Sequence, residues 1–310
     1  LATKPRAFGT TLRKSNGSDY MKVLVIGGTR FFGIHTVKTL LKQGHDVTIA
    51  TRGNTNSVFG NQVSYLTIER TDPDSMKKAF RDKCFDVAID KIAYCSNEIK
   101  YALDVLNCEK YIYMSSTDVY KPKHLNTVES DYNPISEELK WCKRNDFPYR
   151  IVKRQAENAL FQEYTKQNAI SVRYPFVLGK DDYTKRLLFY IEHIIKRLPM
   201  HIDNIDCQMS YIDSVEAGEF IAYLASSDFT GAINGCSGGT ISLGEILNYV
   251  EIKCNIKAII SPNGDNAPYN GVPEYSINTV LAESIGYKFS CLYDWIYKLI
   301  DFYVTVVKGA

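Results

Sequence analysis

The stretch KVLVIG (22–27) is apolar almost from end to end and stops at a glycine pair, Gly27–Gly28. A strand with one face in water alternates apolar and polar residues. One that is apolar throughout is buried on both faces, as in a parallel sheet covered by helices. The same kind of run returns as DVTIAT (46–51), VSYLTI (63–68), FDVAID (85–90) and KYIYMSS (110–116). Between them lie stretches with helical spacing, HTVKTLLKQG (35–44), closed by Gly44, and NEIKYALDVLN (97–107). Strand and helix in alternation predict an α/β fold built on a doubly wound parallel sheet with right-handed crossovers. Ligands of such a sheet lie beyond the carboxyl ends of its strands. Those ends are Gly27–Gly28, Thr51–Arg52, Glu69–Arg70, Asp90–Lys91 and Ser115–Ser116.

The turn GGTRFFG (27–33) joins the first strand to the first helix. A glycine-rich turn there lets backbone N–H groups approach a pyrophosphate at the helix N-terminus, although Gly-Gly after an apolar strand also serves as a plain tight turn. Arg30 stands where loops of this kind carry a further glycine; it gives up close approach and brings a cation towards the phosphates. The second strand ends 18 positions after Gly33, at Thr51, near the roughly 20-residue offset at which an Asp or Glu grips the adenosine ribose. ATRGN (50–54) offers no acid there, only Thr51 and Arg52. An arginine binds a 2′-phosphate that a carboxylate would repel. NADP(H) is therefore favoured, with NAD(H) left open. The expected cofactor contacts are Gly27, Thr29, Arg30, Phe31, Phe32 and Gly33 in the turn, and Arg52, Arg70, Lys91 and Ile92 at the strand ends.

The fifth run ends in Ser115–Ser116, and YRIVK (149–153) follows. A tyrosine and a lysine four apart on a helix share one face. An ammonium near the phenol favours phenolate and lowers the tyrosine pKa from its usual ~10 towards working pH, which makes Tyr149 a general base or acid. Ser116 is placed to hydrogen-bond the same substrate oxygen. Tyr149 and Lys153 thus count as catalytic and cofactor-contacting residues. The bare spacing is not specific: YVEIK, Tyr249 to Lys253, fits it as well. Chain order, after a nucleotide turn and a strand ending in serines, distinguishes Tyr149–Lys153.

Bulk properties narrow the rest. A chain of 310 residues allows one large domain or two interleaved lobes. A net charge of +2 is too mild to mark a nucleic-acid or membrane surface, and no apolar run reaches the roughly 18–20 residues of a membrane span. Eight scattered cysteines, with no CxxC and no histidine cluster at ligand spacing, predict a cytoplasmic setting and no metal site. Residues 1–20 are polar and aperiodic, and are expected to be a disordered extension or an appended remnant. A dinucleotide-binding Rossmann domain is expected over 21–173, with part of 205–235 returning to it, and a smaller, interleaved substrate lobe over 174–310. In that lobe SPNGDNAPYNGVPEYS (261–276) reads as loop and CLYDWIYKLIDFYVTVV (291–307) as a packed helix.

These motifs together resemble the extended short-chain dehydrogenase/reductases of the NAD-dependent epimerase/dehydratase type, from about Met21 to the end. SSTDVY places Ser116 four before the tyrosine of a VY pair, YRIVK matches the family's YxxxK, and its later glutamate falls at Glu157. VRYPFVLG puts Arg173 and Pro175 where the family's substrate lobe begins, which adds Pro175 to the implied cofactor contacts. MSYIDSVEAGEFI resembles the family's helix entry through Asp213. GGTRFFG, ERTDP and GKDDYTKRLLFY are similar to the branch that includes the chloroplast stem-loop-binding proteins and bacterial homologues. Some members of that branch are held to bind RNA, and several have degenerate catalytic residues; this chain keeps Ser, Tyr and Lys. The family's 4,6-dehydratases carry Asp-Glu after the Ser/Thr, where this chain has Thr117 and Asp118, so dehydration is disfavoured. Asp118 remains as a base, a substrate contact or a cap. Lys121 replaces the usual glycine of VYG, and Glu69 the common Asp near the adenine.

Two functions follow as expectations. The first is an NAD(P)-dependent oxidoreductase or epimerase acting on a nucleotide sugar or related polyol by hydride transfer, with Tyr149 as acid/base and Tyr94, Tyr183 and Arg186 as substrate contacts. The second is an RNA-binding or regulatory protein on the same fold, with the nucleotide as a structural ligand. The resemblance also implies a homodimer.

Overall fold

A computed structural model describes residues 20–54 and 57–309, so the extension expected at 1–20 lies outside the described residues except for Tyr20. Seven strands form the central sheet: β1 (Lys22–Ile26), β2 (Asp46–Thr51), β3 (Ser64–Thr67), β4 (Cys84–Asp90), β5 (Asn107–Met114), β6 (Asn168–Arg173) and β7 (Gly231–Asn234). Their order is β7-β6-β5-β4-β1-β2-β3, and every neighbouring pair is parallel. This bears out the doubly wound α/β expectation. The chain winds from β1 to β3 in one direction and from β4 onwards in the other. The crevice between β1 and β4, at their carboxyl ends, is therefore the topological switch point.

The apolar runs are explained by what covers the sheet. Val23 and Val25 of β1 face one core with helices α1 (Phe32–Lys42) and α6 (Ser214–Ser226), among Val37, Leu40, Phe220 and Leu224. Leu24 and Ile26 face the other core with α2 (Pro73–Phe80), α3 (Ser96–Leu103) and α4 (Tyr149–Asn158), among Met76, Phe80, Ile99 and Ala156. Each such side chain contributes about 1.5–3 kcal/mol by leaving water. The sequence places starts and stops with ordinary capping chemistry. Asp72 caps α2 ahead of Pro73, and the Asp213 carboxylate accepts from the backbone N–H of Val215 at 2.8 Å to start α6.

A third core forms where α5 (Arg186–Lys196), α7 (Leu243–Cys254) and α8 (Ile296–Gly309) pack around Tyr190, Ile246, Val250 and Ile300, with Tyr120 and Tyr132 joining it. The expected C-terminal helix is α8, preceded by a single tight turn at Leu292–Asp294, and the expected loop at 261–276 contains only the two-residue strand Asp265–Asn266. Among the described residues no helix is long and apolar enough to cross a membrane.

A buried polar cluster ties α4 to the ends of β5 and β6 and to the segment 120–132. Glu157 on α4 accepts from Ser115 Oγ at 2.5 Å, Ser171 Oγ at 2.8 Å and Arg173 Nη2 at 2.6 Å. Arg173 also donates to Tyr120 Oη and to the carbonyls of Glu129 and Tyr132, all within 2.9–3.1 Å. Both side chains of the ion pair are fully buried. Glu157→Gln leaves the Arg173 cation buried without a countercharge and should lower stability by about 3–5 kcal/mol. Urea denaturation would show this as a reduced midpoint at unchanged slope; an unchanged midpoint would contradict it.

Candidate active site

The carboxyl edge of the sheet opens into a cleft of about 1000 Å³ whose lining includes Gly27, Thr29–Phe32, Arg52, Lys91, Ser116, Tyr149 and Lys153. Strand order sets its length: from Glu69 and Arg70 after β3, past Arg52 after β2, the Gly27–Gly33 turn after β1 and Lys91 after β4, to Ser116 after β5. The size lies at the upper end of the roughly 300–1000 Å³ of small-molecule sites.

In the turn, Gly27 has a φ of 92°, and a β-carbon there would meet the Ile92 side chain. A β-carbon on Gly33 would lie 2.8 Å from Gly27 O and press on the Lys91 ammonium. Both glycines are thus required for α1 to start close against the strand ends, which is the cradle a pyrophosphate needs. Phe31 has a φ of 53°, a strained value for an aromatic residue. Its ring lies edge-on to Phe32 and, at 5.9 Å, to Tyr183 of the second lobe. Arg30 and Arg52 are exposed at the rim. Glu69 is turned to its own loop: its carboxylate accepts from Thr71 N at 3.2 Å and Thr71 Oγ1 at 2.8 Å. Those bonds, helped by the Arg52 charge, hold it below the usual carboxylate range.

Arg70 and Lys91 differ from each other in ways the sequence does not show. Arg70, expected among the cofactor contacts, is buried, and its Nη2 donates to Asp90 at 2.5 Å. Asp90 in turn accepts from Ile92 N and Ala93 N at 3.2 and 3.0 Å and from Tyr111 Oη at 2.8 Å. Arg70 therefore shapes the β4 strand end from within the wall rather than reaching out as an arm. The Lys91 ammonium stands 3.8 Å over the Phe32 ring, and burial pulls its pKa to about 7, with Asp181 pulling only weakly the other way. Asp181 is shared with His35 Nε2 at 3.0 Å and Ser214 Oγ at 2.8 Å.

At the other end, Tyr149 is the first residue of α4 and Lys153 lies one turn along it. Ser116 Oγ accepts from Asp118 N at 3.2 Å and also meets the Tyr149 hydroxyl. Lys153 donates to the carbonyls of Ala93 at 2.9 Å and Met114 at 2.7 Å, and burial draws its pKa to about 8 against the pull of Asp90, Glu98 and Glu157. The expected lowering of the Tyr149 pKa is corrected. Protein packed around the hydroxyl raises it above the ordinary tyrosine value and outweighs the Ser116 hydrogen bond, although the residue as a whole is 44% exposed; the Lys153 ammonium is turned to backbone carbonyls. Asp118 forms an ion pair with Lys123 at 2.5 Å. Pro175 and Tyr183 line the same cleft, and Arg186 stands over the Phe176 ring at 5.4 Å. Tyr94 packs edge-on against Tyr149 with centroids 5.9 Å apart. The rival pair Tyr249–Lys253 lies on α7, where both side chains engage Asp301.

Sequence reasoning missed Arg144, Glu98 and Lys123. They come from separate segments and carry no spacing signal, since only the folded chain brings Arg144 and Lys123 to the cleft and sets Glu98 behind Arg144.

Fold and site together define an α/β protein with a glycine-turn cleft and a Ser–Tyr–Lys set at the end of its fifth strand. Residues 23–107 match the model of the NAD dependent epimerase/dehydratase family, which bears out the resemblance over that stretch. The chain is 26% identical to Chloroplast stem-loop binding protein of 41 kDa b, chloroplastic, from Arabidopsis thaliana, over 72% of this chain and 60% of that protein, less than two thirds of its length. UDP-glucose 4-epimerase of Thermotoga maritima, solved with UDP-glucose, superposes with a TM-score of 0.73 at 14% identity, covering 93% of this chain and 100% of that one. The Thermus thermophilus UDP-glucose 4-epimerase in complex with NAD gives 0.66 at 19% identity, covering 94% and 100%. Both share the fold.

Gly33→Ala forces a β-carbon against Gly27 O. It should weaken dinucleotide binding by about tenfold or more, as measured by fluorescence titration; an unchanged affinity would show that the turn does not cradle the nucleotide.

Proposed function

We propose that the protein is a dinucleotide-dependent enzyme of the epimerase type that acts on a nucleotide sugar. The observation that carries this is the meeting of the Gly27–Gly33 turn with Ser116, Tyr149 and Lys153 in one cleft. Support comes from the match to the family model and from two neighbours of the same fold, one solved with NAD and one with UDP-glucose.

The Gly27–Gly33 turn presents backbone N–H groups to the pyrophosphate, Lys91 adds a cation beside it, and Arg52 stands at the adenosine end for a 2′-phosphate. Once bound, the dinucleotide supplies the acceptor and donor of hydride. Tyr149 moves the proton on the substrate's carbinol oxygen, and Ser116 hydrogen-bonds that oxygen. With its pKa raised the phenol is neutral at working pH, so it is set to protonate a carbonyl oxygen and becomes a base as pH rises. In an epimerase the sugar carbon is oxidised and then reduced from its other face, whereas a reductase stops after one transfer; the same residues serve either. Thr117 and an ion-paired Asp118 leave no free pair of carboxylates there, which argues against dehydration.

A second reading, an RNA-binding or regulatory protein, draws on the identity to the stem-loop binding protein. A net charge of +2 weighs against it, and an RNA mobility shift at low salt separates the two.

Tyr149→Phe should reduce turnover of UDP-glucose at least about 100-fold while dinucleotide affinity stays within a small factor. In the wild type, oxidation of the sugar should speed up from about pH 7 towards about pH 10, because the phenol pKa is raised and the base form is scarce at neutral pH. Turnover that survives the substitution would sink the acid/base role. NADPH is expected to bind about tenfold or more tightly than NADH, with Arg52→Glu reversing the order. Side-by-side titrations measure this, and equal affinities would remove the arginine's role in cofactor choice.

A further inference from the structure

Beside the main cleft lies a second, open hollow of about 710 Å³, and nothing in the proposed reaction fills it. Tyr149 and Val152 of α4 form its floor, and Tyr94, Arg144, Phe147 and Pro148 stand around it. Tyr94, Arg144 and Tyr149 line both spaces, so the two share a wall that includes the candidate catalytic phenol. Three rings are left open to solvent here: Tyr94 is 38% exposed, Phe147 40% and Tyr149 44%. Clustered exposed aromatic surface at the mouth of a site marks a place where a ligand takes over the role of water.

The wall is held in place. Arg144 lies 4.5 Å over the Tyr94 ring and Lys153 lies 4.9 Å from the same centroid. Arg144 is fixed by Glu98, through Nε on Oε1 and Nη2 on Oε2, and by the Ile92 carbonyl at 2.9 Å. Glu98 therefore cancels the arginine's charge, and Asp146 adds a carboxylate at the rim. Among the described residues, the hollow's lining offers flat rings and a polar edge, and its one cation, Arg144, is paired with Glu98. A phosphate or carboxylate would lose its hydration there and gain no counterion. A neutral ring bearing hydroxyls would stack on the aromatics and bond to the edge.

Given the nucleotide-sugar reading, on which this rests, we infer that the hollow is a subsite for a second, neutral sugar ring carried by the substrate beyond the one that reacts at Tyr149. The enzyme then acts on a nucleotide-linked saccharide longer than a single hexose.

The test titrates the dinucleotide-saturated protein with UDP-glucose and with UDP-glucose carrying a second glucose on its O6. The extended probe should bind about tenfold more tightly. Phe147→Ala, a change at an exposed position, should abolish that gain and leave UDP-glucose affinity unchanged. Glucuronic acid in place of the second glucose should also forfeit the gain. Equal binding of the two probes, or a gain that survives Phe147→Ala, overturns the subsite. If neither UDP probe binds, the nucleotide-sugar reading falls instead. Free isomaltose titrated against free glucose, with the same variant, then decides the hollow: preference for isomaltose lost in Phe147→Ala upholds it, and no preference overturns it.

Discussion

Glu157 and Arg173 meet where neither side chain touches water. Removing two charges from solvent costs several kcal/mol for each, and only a complete set of close partners offsets that. Here the partners come from the end of β5, from β6, from Tyr120 and from the segment carrying Glu129 and Tyr132. Tyr120 Oη passes the network on to Asn234 of β7 at 2.6 Å. Satisfying one buried pair therefore places the strand end that bears Ser116 and the helix that bears Tyr149 and Lys153 in a single register. The groups that line the cleft inherit their positions from a contact that no ligand reaches.

The cleft is electrically soft for a site so rich in cations. Burial brings Lys91 to about 7 and Lys153 to about 8, so both ammonium groups are poised near neutrality rather than locked in their charged form. A bound anion would restore their charge, which couples ligand binding to proton uptake. Tyr149 has moved the other way, towards a neutral phenol. The two lysines are thus set by one cause, exclusion of water at the strand ends.

Much of this was legible in the chain. KVLVIG, DVTIAT and FDVAID read as strands buried on both faces because their middle residues are mostly apolar without a polar alternation, and GGTRFFG read as a nucleotide turn because its glycines bracket a strand-to-helix junction. Tyr149 and Lys153 were separated from the rival Tyr249 and Lys253 by chain order, and the rival pair proves to engage Asp301 on the second lobe. Arg70 read as an arm towards a ligand because its position at a strand end is visible in sequence while its burial beside Asp90 is not. The acidity of Tyr149 was misjudged for a related reason: spacing puts a lysine near, but the carbonyls of Ala93 and Met114 decide where its ammonium points.

By itself, then, the sequence determined the sheet, its carboxyl edge as the place of the cleft, and which serine, tyrosine and lysine line it, because periodicity and order along the chain depend on neighbours a few residues away. Only the tertiary structure decided which charges are cancelled, which lysines are weakened by burial, and that Arg144, Tyr94 and Phe147 build a second hollow beside the first. Those properties depend on water being excluded between segments about 45 residues or more apart, such as Glu98 and Arg144, and no local pattern encodes them.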